Sequence, residues 1–108
     1  ILEIGREESP AEACGVITPD LHVVRLPNRH ETSPTDSFVI GSEDLVNAIQ
    51  EFVDRSKVDP TELQRDHFMV WHTHPAGQVG PSRGDIEMKI PGFQYVVVTL
   101  PDGPATIF

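Results

Sequence analysis

His72 and His74 stand two residues apart at the end of the run Phe68-Met69-Val70-Trp71, with Thr73 between them. On a β-strand, residues at i and i+2 share a face, so both imidazoles point to one side and Thr73 to the other. Two neutral imidazole nitrogens on one side are half of a zinc site. Pro75 ends the strand directly after them, which puts the rings where a sheet meets solvent and a substrate can reach them. Asp85 falls in the first turn of the next helix, and the loop before it is long enough to carry its carboxylate back over the strand end. Two histidines and one carboxylate are three ligands. A zinc site with three protein ligands keeps a fourth position for water, the catalytic rather than the structural arrangement.

Hydrolysis at such a site also needs a group that takes a proton and passes it to the leaving amine, and that group cannot be a ligand. Glu12 is a candidate because it lies at a junction into a strand, in the small-residue stretch Glu12-Ala13-Cys14-Gly15 where backbones can pack closely. Spacing alone does not separate it from Glu7 or Glu8. Ser82 could donate its hydroxyl to the oxyanion formed on a carbonyl under attack. A serine nucleophile would need a histidine free of metal, which the His-x-His pair argues against. Taken alone, Ser82 and Asp85 at this spacing are a plain capping box, and only their distance from His72 and His74 favours the site. His22, His30 and His67 read as ordinary histidines, Cys14 as a small buried hydrophobe, and Phe68 and Trp71 as core. A zinc deaminase is excluded, since the His-x-Glu and paired cysteines it requires are missing.

The elements that must position these residues are legible in outline. Ile1 to Glu8 reads as the end of a helix, broken at Pro10, and a strand follows through Ile17. Leu21 to Leu26 is a second strand, Pro27 to Ser37 an exposed loop, and Ser37 to Ile40 a short strand. Ser42 is a plausible N-cap for a helix with Leu45, Val46, Ile49, Phe52 and Val53 on its apolar face, and Glu43 and Asp44 suit its positive end. His67 to His72, apolar without interruption, is expected to be a central strand covered on both faces. Pro75 to Pro81 must be a loop, Ser82 caps a short helix through about Lys89, and strands at Tyr95 to Leu100 and Ala105 to Phe108 close the chain. This order implies a mixed sheet with helices packed against it.

With 108 residues, 38% of them hydrophobic, the chain fits one domain over 1–108. Eight Lys and Arg stand against 17 Asp and Glu, a net charge of −9. With no basic cluster, nucleic acid is not expected as a partner. No apolar run is long enough to cross a bilayer, and the first residues lack the pattern of a secretory signal, so no membrane partner is expected. The single Cys14 suits a reducing compartment, and a cytoplasmic location is the expectation.

His72-Thr73-His74-Pro75, then Pro81-Ser82-Arg83-Gly84-Asp85, with Pro10-Ala11-Glu12-Ala13-Cys14-Gly15 upstream, resembles the signature of the JAMM (MPN-plus) metallopeptidases. The resemblance implies zinc held by His72, His74 and Asp85. It further implies Glu12 as general acid/base acting through the metal-bound water, and Ser82 as oxyanion stabiliser. It also implies an α/β/α sandwich around a central mixed β-sheet, similar in layout to the cytidine deaminases. The activity implied is cleavage of a peptide or isopeptide bond, as in deubiquitinases. The short form is similar to prokaryotic and phage members, which implies ubiquitin-like or sulfur-carrier proteins, or a phage tail assembly protein, as substrate. Pro27-Asn28 and Phe38-Val39-Ile40 followed by Glu43-Asp44 resemble the phage tail group. Eukaryotic-type insertions that grip linked ubiquitins find little room here. If an extended substrate tail adds as a strand, a narrow site would favour small residues beside the scissile bond. The alternative from another class is a phage tail assembly or binding module whose metal site is not used for cleavage.

Overall fold

A computed structural model describes residues 1–64 and 67–108. In chain order it contains α1 (Leu2–Glu8), β1 (Cys14–Ile17), β2 (Val23–Leu26), α2 (Ser42–Ser56), a short 3-10 turn (Pro60–Glu62), β3 (Met69–His74), α3 (Arg83–Glu87), β4 (Gln94–Thr99) and β5 (Ala105–Ile107). The five strands form one sheet in the order β2-β1-β3-β4-β5. β3 runs parallel to β4, while the β1–β2, β1–β3 and β4–β5 pairs are antiparallel. The sheet is therefore mixed, and β3 is its central strand. Its continuous apolar run follows from that position, because both of its faces are covered.

Alternation along β3 sorts its side chains between two cores. On one face Trp71 packs with Ala13 and Val96 against Ile1 and Ile4 of the α1 region. On the other, Val70 joins Val16 and Tyr95 under Ala48 and Phe52 of α2, with Phe68 and Phe93 beside them. His72 and His74 share the Val70 face. With helices on both faces of a mixed sheet, the layered α/β architecture expected from the sequence is the one observed.

Gly15 sits opposite Trp71 in the β1–β3 register. A Cβ there would overlap the Val24 carbonyl oxygen and lie 2.8 Å from two atoms of the indole, Cε2 and Cζ2. Neither the backbone nor a fully buried tryptophan can yield cheaply. Gly15→Ala is expected to lower stability by about 3 kcal/mol, measured by urea unfolding, through overpacking.

Several boundaries differ from the sequence reading: β3 runs Met69–His74 rather than His67 to His72, β4 Gln94–Thr99 rather than Tyr95 to Leu100, and β5 ends at Ile107 rather than Phe108. Ser37 to Ile40 is not a strand, because Val39 directs its N–H to the Asn28 side chain and its C=O to Arg29 N–H, outside the sheet ladder. Leu21 belongs to a turn, with a left-handed φ of 62° and its N–H bonded to the Thr18 carbonyl. Ser42 is the first helical residue rather than the cap: Gly41 precedes α2 in extended conformation and makes no side-chain bond. α3 stops at Glu87, with Met88 as its C-cap.

Candidate metal centre

β3 delivers the two histidines side by side, both buried. His72 Nε2 and His74 Nε2 lie 3.3 Å apart, and Asp85 Oδ2 is 3.0 Å from each. Asp85 is brought there by α3, whose capping box is complete. Ser82 Oγ accepts from Asp85 N–H at 3.1 Å, and Ser82 N–H donates to Asp85 Oδ2 at 2.8 Å. The oxygen that closes the helix start is thus the one that faces both imidazoles. Ser82 itself is exposed, and accepting at Oγ leaves its O–H as a donor toward the site mouth.

The loop between β3 and α3 fixes the second histidine. His74 Nδ1–H donates to the Gln78 carbonyl at 3.3 Å, and that carbonyl also accepts from Thr99 Oγ1 at 2.7 Å. In the neutral ring this bond places the lone pair on Nε2, where a metal could take it; in the protonated ring Nε2–H donates to Asp85 instead. His72 is oriented differently. Its Nδ1 is buried without a hydrogen-bond partner among the described residues. Its ring instead stacks on Phe38 (centroids 4.4 Å apart, planes 22° apart) and meets Phe108 edge-on at 6.0 Å. Packing rather than a polar contact sets the plane of this ring.

Glu12 enters from β1. Ala13 exchanges two hydrogen bonds with Thr73, one to its side chain at 2.9 Å and one from its N–H at 3.0 Å. The face of β3 opposite the histidines therefore holds the β1 start in register beside them. Glu12 is 2% exposed and its Oε1 has no hydrogen-bond partner among the described residues. One ligand atom each from Glu12, His72, His74 and Asp85 lie within 4.8 Å of one another. The four could hold a metal ion. The separations of 3.0, 3.0 and 3.3 Å among the histidine nitrogens and Asp85 Oδ2 match the edge of roughly 3.3 Å in a tetrahedron with bonds of about 2.0–2.1 Å. The donor set and its spacing fit zinc, with Glu12 adjacent.

The electrostatics agree with that division. Burial pushes the Glu12 carboxyl up to about 7; His74 opposes the rise, while Asp85 and Asp36 add to it. Burial also works to raise Asp85, but hydrogen bonds from His72, His74 and Ser82 N–H outweigh it and hold the carboxyl below its ordinary range. Burial lowers His72, whereas the hydrogen bond to Asp85 raises His74 against its own burial. Asp85 is thus an anion at neutral pH, the state in which a carboxylate can hold a metal, and the Glu12 carboxyl is balanced between its acid and its anion there.

A raised carboxyl pKa disfavours folding once the group ionises. Glu12 contributes its full stability below its unfolded value of 4.5, and this is lost as pH rises through about 7. In chelator, wild type is therefore expected to lose roughly 3 kcal/mol relative to Glu12→Gln between those limits. Urea unfolding of both proteins at pH 4.5 and pH 8 checks it; parallel pH profiles would show that Glu12 is not desolvated.

All five residues singled out for the site lie in one region, and His22, His30 and His67 stay outside the cluster. Cys14 pairs with His72 in the sheet register, yet its thiol is buried toward the Leu26 and Pro27 carbonyls. Burial pushes it up to about 12, so it is an inert neighbour. Asn28 is the residue whose role the sequence did not disclose. Its Nδ2 donates to the carbonyls of Glu12 and Ser37, both at 3.0 Å, while Oδ1 accepts from His30 and Val39 N–H. One side chain ties the backbone of Glu12 to the segment that carries Phe38. An asparagine in a polar loop gives no sign of this, since only the folded chain brings those groups together.

A family model described as prokaryotic homologs of the JAB domain matches residues 1–107. A comparison with curated proteins found no match.

Proposed function

Because this chain belongs to the prokaryotic homologs of the JAB domain, we propose that it is a zinc-dependent peptidase that cleaves a peptide or isopeptide bond. The observation that carries this reading is the convergence of two imidazoles and one carboxylate beside the buried Glu12, whose Oε1 has no hydrogen-bond partner among the described residues. His72, His74 and Asp85 would hold the zinc. When bound, it supplies Lewis-acid polarisation of the carbonyl and lowers the pKa of a water to about 7. Glu12 takes the proton released by the attacking water and returns it to the leaving amine, a shuttle suited to a carboxyl near neutral pKa. Ser82 donates its O–H to the oxygen of the carbonyl under attack. Phe38 and the buried sheet behind the histidines keep bulk water from the ligands' far side.

The proposed substrates are ubiquitin-like or sulfur-carrier proteins, with a phage tail assembly protein as the alternative, and the proposed location is a reducing cytoplasm. No helix among the described residues is long and apolar enough to cross a membrane. A module that only assembles would gain nothing from a buried carboxylate one of whose oxygens lacks a hydrogen-bond partner among the described residues, an arrangement that costs free energy and is common at functional sites. The test is to load the protein with zinc and screen cleavage of ubiquitin-like fusions with and without chelator. Cleavage unaffected by chelator, or none with zinc bound, would rule the reading out.

A further inference from the structure

An apolar cleft of about 380 Å³ opens directly beside the metal centre and shares Ser82 and Asp85 with it. Phe38, Val39 and Ile40 line it from one chain segment, Met88 and Ile90 from another, and Tyr95 from the sheet. We propose that the substrate carries a bulky aliphatic or aromatic side chain close to the scissile bond, and that this cleft receives it. The proposal rests on the peptidase reading and narrows its substrate class.

The volume lies within the roughly 300–1,000 Å³ of pockets that hold small ligands, more than a run of glycines can fill. A cleft of this size differs from the narrow site, suited to small residues, that strand addition would make. The charged group in the lining is Asp85, whose Oδ2 is already engaged by His72, His74 and Ser82 N–H. Apart from it and His30, the lining carries no side chain among the described residues that could pair a buried charge, so a charged side chain would lose most of its hydration there. Its mouth keeps Met88 and Val39 in water, at 75% and 38% exposure, and a bound apolar group would cover them.

The cleft is also preformed. Val39 is held by Asn28 Oδ1 at 3.1 Å and Arg29 N–H at 2.8 Å, and Ile90 N–H donates to the Tyr95 hydroxyl at 2.7 Å. Little ordering is left for binding to supply. Phe38 links occupancy to chemistry, since its ring lines the cleft and stacks on His72.

The experiment uses the zinc-loaded chain and glycine-background peptides in which Leu, Phe, Lys or Glu replaces glycine singly at each position around the scissile bond. At one position Leu or Phe is expected to raise kcat/KM at least about 10-fold over glycine, with Lys and Glu giving no gain. Val39→Glu combined with Met88→Glu, both at exposed positions, should bring the Leu-to-glycine ratio to within about twofold. Cleavage that is abolished by Glu12→Gln but indifferent to, or slowed by, apolar residues at every position would overturn the proposal and leave the peptidase reading standing. A Leu preference that survives the double variant would overturn the assignment to this cleft. Absence of cleavage across the whole panel would overturn both.

Discussion

Glu12→Gln is expected to keep zinc bound and to lower kcat by roughly 10²–10⁴-fold, the usual worth of a positioned general acid/base. The substitution preserves shape and volume at a site that is 2% exposed, so packing around it is unchanged. It removes only the proton acceptor. Because burial holds the native carboxyl near 7, the variant also loses a buried charge and should fold at least as well as wild type above that pH. Metal content by elemental analysis, together with kcat on a cleaved ubiquitin-like fusion, checks both halves. Equal turnover by the two proteins would show that another group moves the proton; lost zinc would show that Glu12 is a ligand.

Asp85→Asn separates the two jobs that the proposed function gives to one oxygen. Asparagine can still accept from Ser82 N–H, so the start of α3 should survive with its far-ultraviolet circular dichroism unchanged. The negative charge between His72 and His74 is gone, however, and a neutral amide is a poor zinc ligand. Removing an outer partner of a metal ligand costs about 10–100-fold in affinity. Losing a ligand should cost at least about 100-fold, read by competition with a chromophoric chelator, and cleavage should fall with it. His74→Ala should match it in affinity. If Asp85→Asn bound zinc like wild type, the carboxylate would be only a helix cap.

That dual role shows why the local pattern was ambiguous. A serine followed three residues later by an acidic residue reads as a capping box, and the capping box is present. The ligand reading is also geometrically satisfied, because Asp85 Oδ2 meets both imidazoles at 3.0 Å. The two interpretations are the same contact seen from the helix and from the strand.

Elements whose signals are periodic were legible along the chain. The alternation of His72 and His74, the uninterrupted apolar run of β3 and the apolar stripe of α2 depend on strand and helix geometry, which local sequence dictates. Ser37 to Ile40 reads as a strand because its β-branched and aromatic content resembles one, yet it is not one in the fold. Its fate depended on where its amides found partners, and they found Asn28 and Arg29 rather than a sheet neighbour.

By residue type and spacing alone, the sequence determined the identity of the two histidines, their shared face and the plausibility of Asp85 as a third ligand. Spacing could not choose Glu12 over Glu7 or Glu8; the resemblance of Pro10 to Gly15 to the JAMM signature implied it. Tertiary structure adds its placement, because the pairing of Ala13 with Thr73 brings β1 alongside β3 and buries Glu12 beside the histidines. The apolar cleft and Asn28's hold on its wall were decided the same way. Both depend on contacts between segments distant in sequence, and no local periodicity encodes them.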